Sequence, residues 1–401
     1  MRIIINECKK ILDIRIILLL CMFSILYYMT FTQIYRYPTG GQLTNTKYDI
    51  PFTAELVKEW GPKWKVKDEK QYQEKHQELE RGFAKIIKQD QELSKRGIVD
   101  YEIFNKKYEE LGQKTTLSKQ EKELGKILEN YVFYNDKTSK IFLDIQALEH
   151  IREFQGSEYG VSDKKYKELK ADGFFDGTKL YQKAIEKRVK RDYISLVHEG
   201  VFYILQEDMV TIGGLIMICF FALIIPYQVK QRLRQIIPIL ATTKTGRRIY
   251  QIQLIASALA ALFVGILQMA VYGIIWHLKG LSVFWRCESW GIASNSYWCD
   301  KLSFGTYMLL YMALILLFAI ASIVIIDFIG RTIGNYMGAV AVSIPVCGVM
   351  MFLMRKIYYM LFLITNDQVL AYWELYALAT WLIVMLLFYK IRSKRWKKVD
   401  L

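Results

Sequence analysis

Residues 227–249 read YQVKQRLRQIIPILATTKTGRRI, between two apolar runs, MVTIGGLIMICFFALIIPY at 209–227 and YQIQLIASALAALFVGILQMAVYGII at 250–275. Each run is close to the ~20 residues that cross a bilayer. The connector, 228–249, is basic and partly apolar. Arg232, Arg234, Lys244, Arg247 and Arg248 supply charge, while Ile236, Ile237, Ile239 and Leu240 supply an apolar face. Thr242-Thr243-Lys244-Thr245-Gly246 then offers a break, because hydroxyls and glycine compete with a continued helix. The stretch predicts a short amphipathic helix, a turn and a return into the membrane.

Four more runs of similar character lie at 16–34, 307–327, 337–354 and 370–389. One such run alone could be a buried soluble helix, but six together are membrane spans. The expected fold is an all-α polytopic membrane protein with six transmembrane helices. The first run shows no small-x-small cleavage site before Tyr35-Arg36-Tyr37-Pro38, so it reads as a retained anchor rather than a signal peptide.

Charge is segregated along the chain. Residues 35–208 hold 32 Lys+Arg and 31 Asp+Glu, leaving 22 basic and 8 acidic residues elsewhere, so nearly all of the +15 net charge flanks the apolar runs. A basic excess spread over a soluble domain would suggest nucleic acid. Here it follows the positive-inside pattern instead, which points away from nucleic acid and toward membrane lipid. The N-terminus, the 228–249 connector and the basic tail 390–401 are expected in the cytoplasm, in a multi-pass protein of the plasma membrane. Arg355 and Lys356 fall on the outer side and depart from the rule.

Residues 1–15 mix Ile3, Ile4, Ile11 and Leu12 with Glu7, Lys9 and Lys10, as in an amphipathic helix lying on the inner leaflet. The 35–208 block becomes a large extracytoplasmic domain between helices 1 and 2. Its apolar residues recur at helical spacing at Leu79, Phe83, Ile86 and Ile87, at Leu124, Ile127, Leu128 and Tyr131, and at Ile141, Ile145, Leu148 and Ile151. Helices dominate the expectation, with little strand. Thr178 is a candidate N-cap for a last helix that would continue unbroken into the second span. An outer loop, 276–306, is rich in aromatic residues, and 355–368 reads as an outer re-entrant or interfacial segment with a helix ahead of span six.

Enzymatic signatures are missing. There is no G-x-x-x-x-G-K-[ST] to cradle a nucleotide, no H-E-x-x-H, and the four histidines are scattered, so neither a metal nor a catalytic residue is expected. Cys287 and Cys299 share one outer loop and form a candidate disulfide. Asp327 and Glu374 stand at span edges, where a structural role outweighs an ion path.

Taken together, the six spans, the basic N-terminal segment, the 227–249 pattern and the apolar insertion before span six resemble the ABC-2 type permeases, membrane subunits of ATP-binding-cassette exporters. Gln228 and Gln231 depart from that family, which often carries acids there. So do Lys244, where proline is common, and Gln253, where a lysine frequently opens span three. The resemblance implies a permease working with a second copy or a sister permease and joined to separate ATP-binding cassette subunits. ATP and Mg²⁺ would sit on those partners, with no cofactor on this chain. It places ATPase coupling on Arg232, Arg234, Ile236, Ile237, Leu240, Thr243, Lys244, Gly246, Arg247 and Arg248. Export of a peptide, an antibiotic or another amphipathic compound is the first expectation. An ATPase-coupled signal or force transmitter, or a peptide-sensing membrane protein acting through the outer domain, is the alternative.

Overall fold

The computed structural model describes residues 2–36, 46–65, 68–158, 167–168, 170–171, 173, 176–189, 191, 193–233, 249–289, 301–365, 367 and 369–399. It divides into two compact units. One comprises Met1–Arg36, Val201–Trp285 and Asn295–Leu401; the other comprises Tyr37–Gly200 and Arg286–Ser294.

The first unit holds α1 (Arg2–Ile11), α2 (Ile14–Phe31), the short α3 (Gln33–Arg36) and four long helices, α12 (Ile249–Leu278), α13 (Phe304–Thr332), α14 (Tyr336–Tyr358) and α15 (Trp373–Val399). It also holds nearly all of α11 (Glu199–Leu233). Six of these helices, α2 and α11 to α15, are long and apolar enough to cross a membrane, so the all-α polytopic expectation holds. Local chemistry sets several starts. Asp13 caps α2 through Arg15 N at 3.0 Å, Ser303 caps α13 through Thr306 N at 3.2 Å, and Asn335 caps α14 through Gly338 N at 2.6 Å.

Burial separates the helices. Most spanning residues of α11 are buried, whereas α2 and α15 leave most of theirs uncovered. On α13 the buried positions Tyr307, Tyr311, Ile315, Phe318, Ser322, Ile326 and Ile329 advance by three or four residues, one continuous stripe. α2 is apolar nearly all round and exposes Leu18, Leu19, Met22, Ile25, Leu26 and Met29, a face suited to lipid rather than water. Gly213 and Gly214 let α14 approach. A Cβ on the first would lie 2.7 Å from the Met354 side chain, and one on the second 2.7 Å from Met351.

Among the described residues no separate helix stands ahead of span six; α14 instead runs on through Arg355 and Lys356 to Tyr358. The chain then turns, with Met360, Phe362 and Tyr372 all at positive φ. The turn is held from outside itself. The Tyr311 hydroxyl donates to Tyr358 O, the Tyr307 hydroxyl to Leu361 O at 2.9 Å, and Phe362 N to Glu374 Oε1 at 2.9 Å. Those bonds satisfy backbone groups that a helix would otherwise pair. Glu374 is accordingly buried at this turn.

The second unit is helical, with α4 (Thr46–Trp60), α5 (Glu69–Ile87), α6 (Gln91–Lys95), α7 (Tyr101–Gln113), α8 (Lys119–Glu129), α9 (Asp136–Glu158) and α10 (Lys179–Val189). Phe83, Tyr101, Phe104 and Phe142 pack ring to ring at the centre of its core, with centroids 5.1–6.0 Å apart. Of the predicted stripes, Phe83, Ile87, Leu128, Ile145, Leu148 and Ile151 are buried, and Leu79, Leu124, Ile127, Tyr131 and Ile141 pack against the core.

Thr178 does cap α10, accepting from Tyr181 N at 3.3 Å. The helix stops at Val189, however, and does not continue into the second span. A strand, β2 (Tyr193–Ser195), follows and pairs antiparallel with β1 (Lys63–Lys65), Trp64 opposite Ile194. Long-range pairing of backbone groups, invisible to a local pattern, interrupts the helix there. Glu288 closes this sheet, taking Lys63 Nζ at 2.6 Å and the Tyr193 hydroxyl at 3.0 Å.

Candidate functional site

Where the last turns of α11 leave for the basic connector, polar side chains from five helices meet inside the first unit. Tyr227, Gln228, Gln231 and Arg232 lie within six residues of one another on α11. They divide between two acids that come from far away in sequence.

The first acid is Glu7 of α1. Its side chain is buried, accepts from the Tyr227 hydroxyl and from Gln231 Nε2 at 3.4 Å, and pairs with Lys10 at 2.6 Å. An apolar helix surface would have held α1 loosely; a buried carboxylate with three donors fixes its register. Cys8 adds a contact between α1 and α12, its Sγ lying 3.5 Å from Ala256 O.

Asp327 of α13 is the second. Gln228 Nε2 donates to its Oδ1 at 2.5 Å and Arg331 Nε to its Oδ2 at 2.7 Å. Asp327 and Arg331 stand four residues apart, the spacing that puts them on one helix face. Asp327 is fully buried. The Arg331 guanidinium lies 4.9 Å from the ring centroid of Tyr250 on α12, and Tyr250 stacks on Tyr389 of α15. Gly330 makes room for this, since a Cβ there would lie 2.7 Å from Gln228 Cβ.

Arg232 closes the α13 end. Its Nη1 donates to Arg331 O at 2.9 Å and to Thr332 O at 2.6 Å, carbonyls that the helix terminus leaves unpaired. Arg392 of α15 lies 4.3 Å from the Phe328 ring centroid, its Nη2 3.5 Å from Thr332 Oγ1. The end of α11 is thus bonded to α1 and α13, and through Arg331 and Tyr250 it reaches α12 and α15.

Of the residues expected to couple to an ATPase, only Arg232 is among the described residues, and its Nη1 is spent on α13. Arg234, Ile236, Ile237, Leu240, Thr243, Lys244, Gly246, Arg247 and Arg248 lie outside them. Cys287 is buried, its Sγ 3.5 Å from Leu196 O, and burial pushes its pKa up to about 12. Cys299 lies outside the described residues.

The sequence alone assigned no site role to Glu7, Gln228, Gln231 or Arg331. The Asp327/Arg331 spacing was the available signal for the buried pair. Glu7 carried none for its bonds to α11, because Tyr227 and Gln231 are more than 200 residues away. The two glutamines that stand where the resemblance leads one to expect acids are the residues that bind acids from α1 and α13.

Residues 72–391 match the family model described as ABC-2 family transporter protein. No curated protein and no solved structure matches the chain. That match covers the second to fifth spanning helices whole, including Asp327 and Arg331 on α13, and most of the sixth span. With six such helices and a family model spanning most of its length, the chain belongs to the ABC-2 family of transporters as a membrane subunit.

Proposed function

We propose that this permease exports a peptide, an antibiotic or another amphipathic compound, driven by ATP hydrolysis on a separate cassette subunit that docks on the 228–249 connector. A second copy or a sister permease completes the pathway, the termini and the connector face the cytoplasm, and the second unit lies outside the cell at the plasma membrane. The observation that carries the reading is the pair of buried carboxylate centres at the end of α11. A displacement of the connector acts on Arg232, Gln231 and Gln228, whose bonds lead to α13 and α1. A partner that favours one arrangement of these helices when ATP is bound, and another when it is not, would drive the change. Arg234, Arg247 and Arg248 provide the docking charge, with Ile236, Ile237 and Leu240 entering an apolar groove and Thr243, Lys244 and Gly246 shaping the turn.

The test is affinity purification of the tagged chain in mild detergent, with mass spectrometry and an ATPase assay on the same sample. A cassette ATPase should accompany the chain and be lost from Arg247→Glu/Arg248→Glu. An oligomer that stays intact but brings no ATPase would sink the reading.

A further inference from the structure

In the second unit one histidine sits between two carboxylates. His76 of α5 places Nε2 3.1 Å from Glu149 Oε1 on α9, and Nδ1 3.5 Å from Glu80 Oε2, one turn further along α5. The Tyr72 ring stacks on the imidazole with centroids 5.6 Å apart, and the Tyr101 ring of α7 meets it edge-on at 6.5 Å. The second Glu149 oxygen accepts from the Tyr101 hydroxyl at 2.9 Å. Burial first, then the Glu149 charge, with Glu109 and Glu80 behind, raise the Tyr101 phenol above its usual range, so this donor keeps its proton. Tyr101 also packs on Phe83 and Phe142, which links the histidine to the centre of the core.

Lysine and arginine do not balance the two acids. Among the described residues, neither Glu80 nor Glu149 pairs with one. Lys75, next to His76, is bound to Glu59 at 3.2 Å and to Glu78 at 3.4 Å. Arg152 lies 4.8 Å from the Tyr72 ring centroid and is bound to Glu69 at 2.6 Å. The imidazole is the cation that both acids share. A neutral imidazole donates from one nitrogen and presents a lone pair from the other. In either tautomer one of the two carboxylates would face that lone pair. Only the protonated ring serves both. Its side chain is 20 % exposed, so water can deliver and remove the proton.

We propose that His76 is a proton-operated clamp on the second unit. Charged, it engages Glu80 and ties α5 to Glu149 on α9. Neutral, it keeps at most one of these contacts, without the charge that strengthens it. The clamp is therefore complete in acid and loosens as pH rises through the range in which histidines discharge, centred at about 6.5. It lies within the second unit and is independent of what the permease carries and of which ATPase drives it.

The test is hydrogen exchange of the full chain in detergent at about pH 5.5 and about pH 8, either side of the histidine range, corrected for the intrinsic pH dependence of exchange. Amides of residues 72–80 and 145–152 should exchange about threefold more slowly in acid, the scale of partly exposed ion pairs. His76→Gln, neutral throughout, should exchange alike at both values and match the unmodified chain at the higher one. His150→Gln, beside Glu149 on α9, should retain the difference. Equal protection of the unmodified chain at the two pH values would overturn the proposal. So would a difference that survives in His76→Gln, or one lost only in His150→Gln. Should His76→Gln fail to fold, Glu80→Gln serves instead: a smaller difference is expected, and an undiminished one refutes the clamp.

Discussion

Arg331 Nε donates to Asp327 Oδ2 at 2.7 Å, one turn away on α13, and the two side chains are 3 % and 0 % exposed. A pair this deep is a poor source of net stability, because both charges have lost their water. What it provides is intolerance: either partner alone is far worse than both. Gln228 ties that intolerance to α11, so the pair reports on how α11 and α13 are placed.

Asp327→Asn should therefore destabilise the chain by about 3–5 kcal/mol, leaving Arg331 buried and uncompensated. Asp327→Leu/Arg331→Met removes both charges and should cost much less. Unfolding of the single and double variants in the same detergent checks the order; a double variant worse than Asp327→Asn would refute it.

Gly330→Ala probes the closeness of the same helices. Its Cβ would lie 2.7 Å from Gln228 Cβ, an atom near the backbone that cannot swing away. The helices must separate, at about 1–3 kcal/mol. Hydrogen exchange in residues 225–233 and 326–332 should rise, and unchanged exchange would show that the gap is wider than described.

In the second unit, Asp90 caps α6, its Oδ1 accepting from Glu92 N at 2.8 Å and Leu93 N at 3.0 Å, while Oδ2 accepts from the Tyr131 hydroxyl. The Tyr131 hydroxyl first, then the two amides, hold its carboxyl below the usual range against the opposing effect of burial. A carboxyl with a folded pKa below its unfolded value of about 3.9 adds stability that is fully present above that value. The contribution is lost as pH falls through the lower, folded value. Asp90→Ala should cost about 1–2 kcal/mol at pH 7. Thermal unfolding of both proteins at pH 7 and at strongly acidic pH should show the gap closing in acid.

Burial that raises the Cys287 thiol to about 12 leaves roughly one thiol in ten thousand ionised at pH 8. Iodoacetamide should miss Cys287 in the folded chain and label it fully in denaturant without reductant, as peptide mass spectrometry would show. A Cys287–Cys299 bridge would instead block labelling until a reductant is added.

Six helices of spanning length were legible because bilayer thickness imposes ~20 apolar residues on any local segment that crosses it. The core of the second unit was legible for a related reason: Phe83, Ile87 and Ile145 repeat at helical spacing, and burial on a helix follows that period. The site was less so. Arg232 could be singled out from its place beside a span, but its bonds to Arg331 O and Thr332 O could not, since they join residues about 100 positions apart.

Three features of the chain were decided by tertiary structure alone. Pairing of β1 with β2 stopped a helix that local propensity would have continued, because backbone groups found partners more than 120 residues away. Hydroxyls of Tyr307 and Tyr311, with Glu374, held residues 358–362 in a turn where an apolar run suggested a helix. Glu7 and Asp327 became the anchors of α11 because buried carboxylates must collect donors wherever folding brings them. Sequence by itself determines what local period and membrane thickness dictate; the partners of buried polar groups are chosen by packing, which no local pattern encodes.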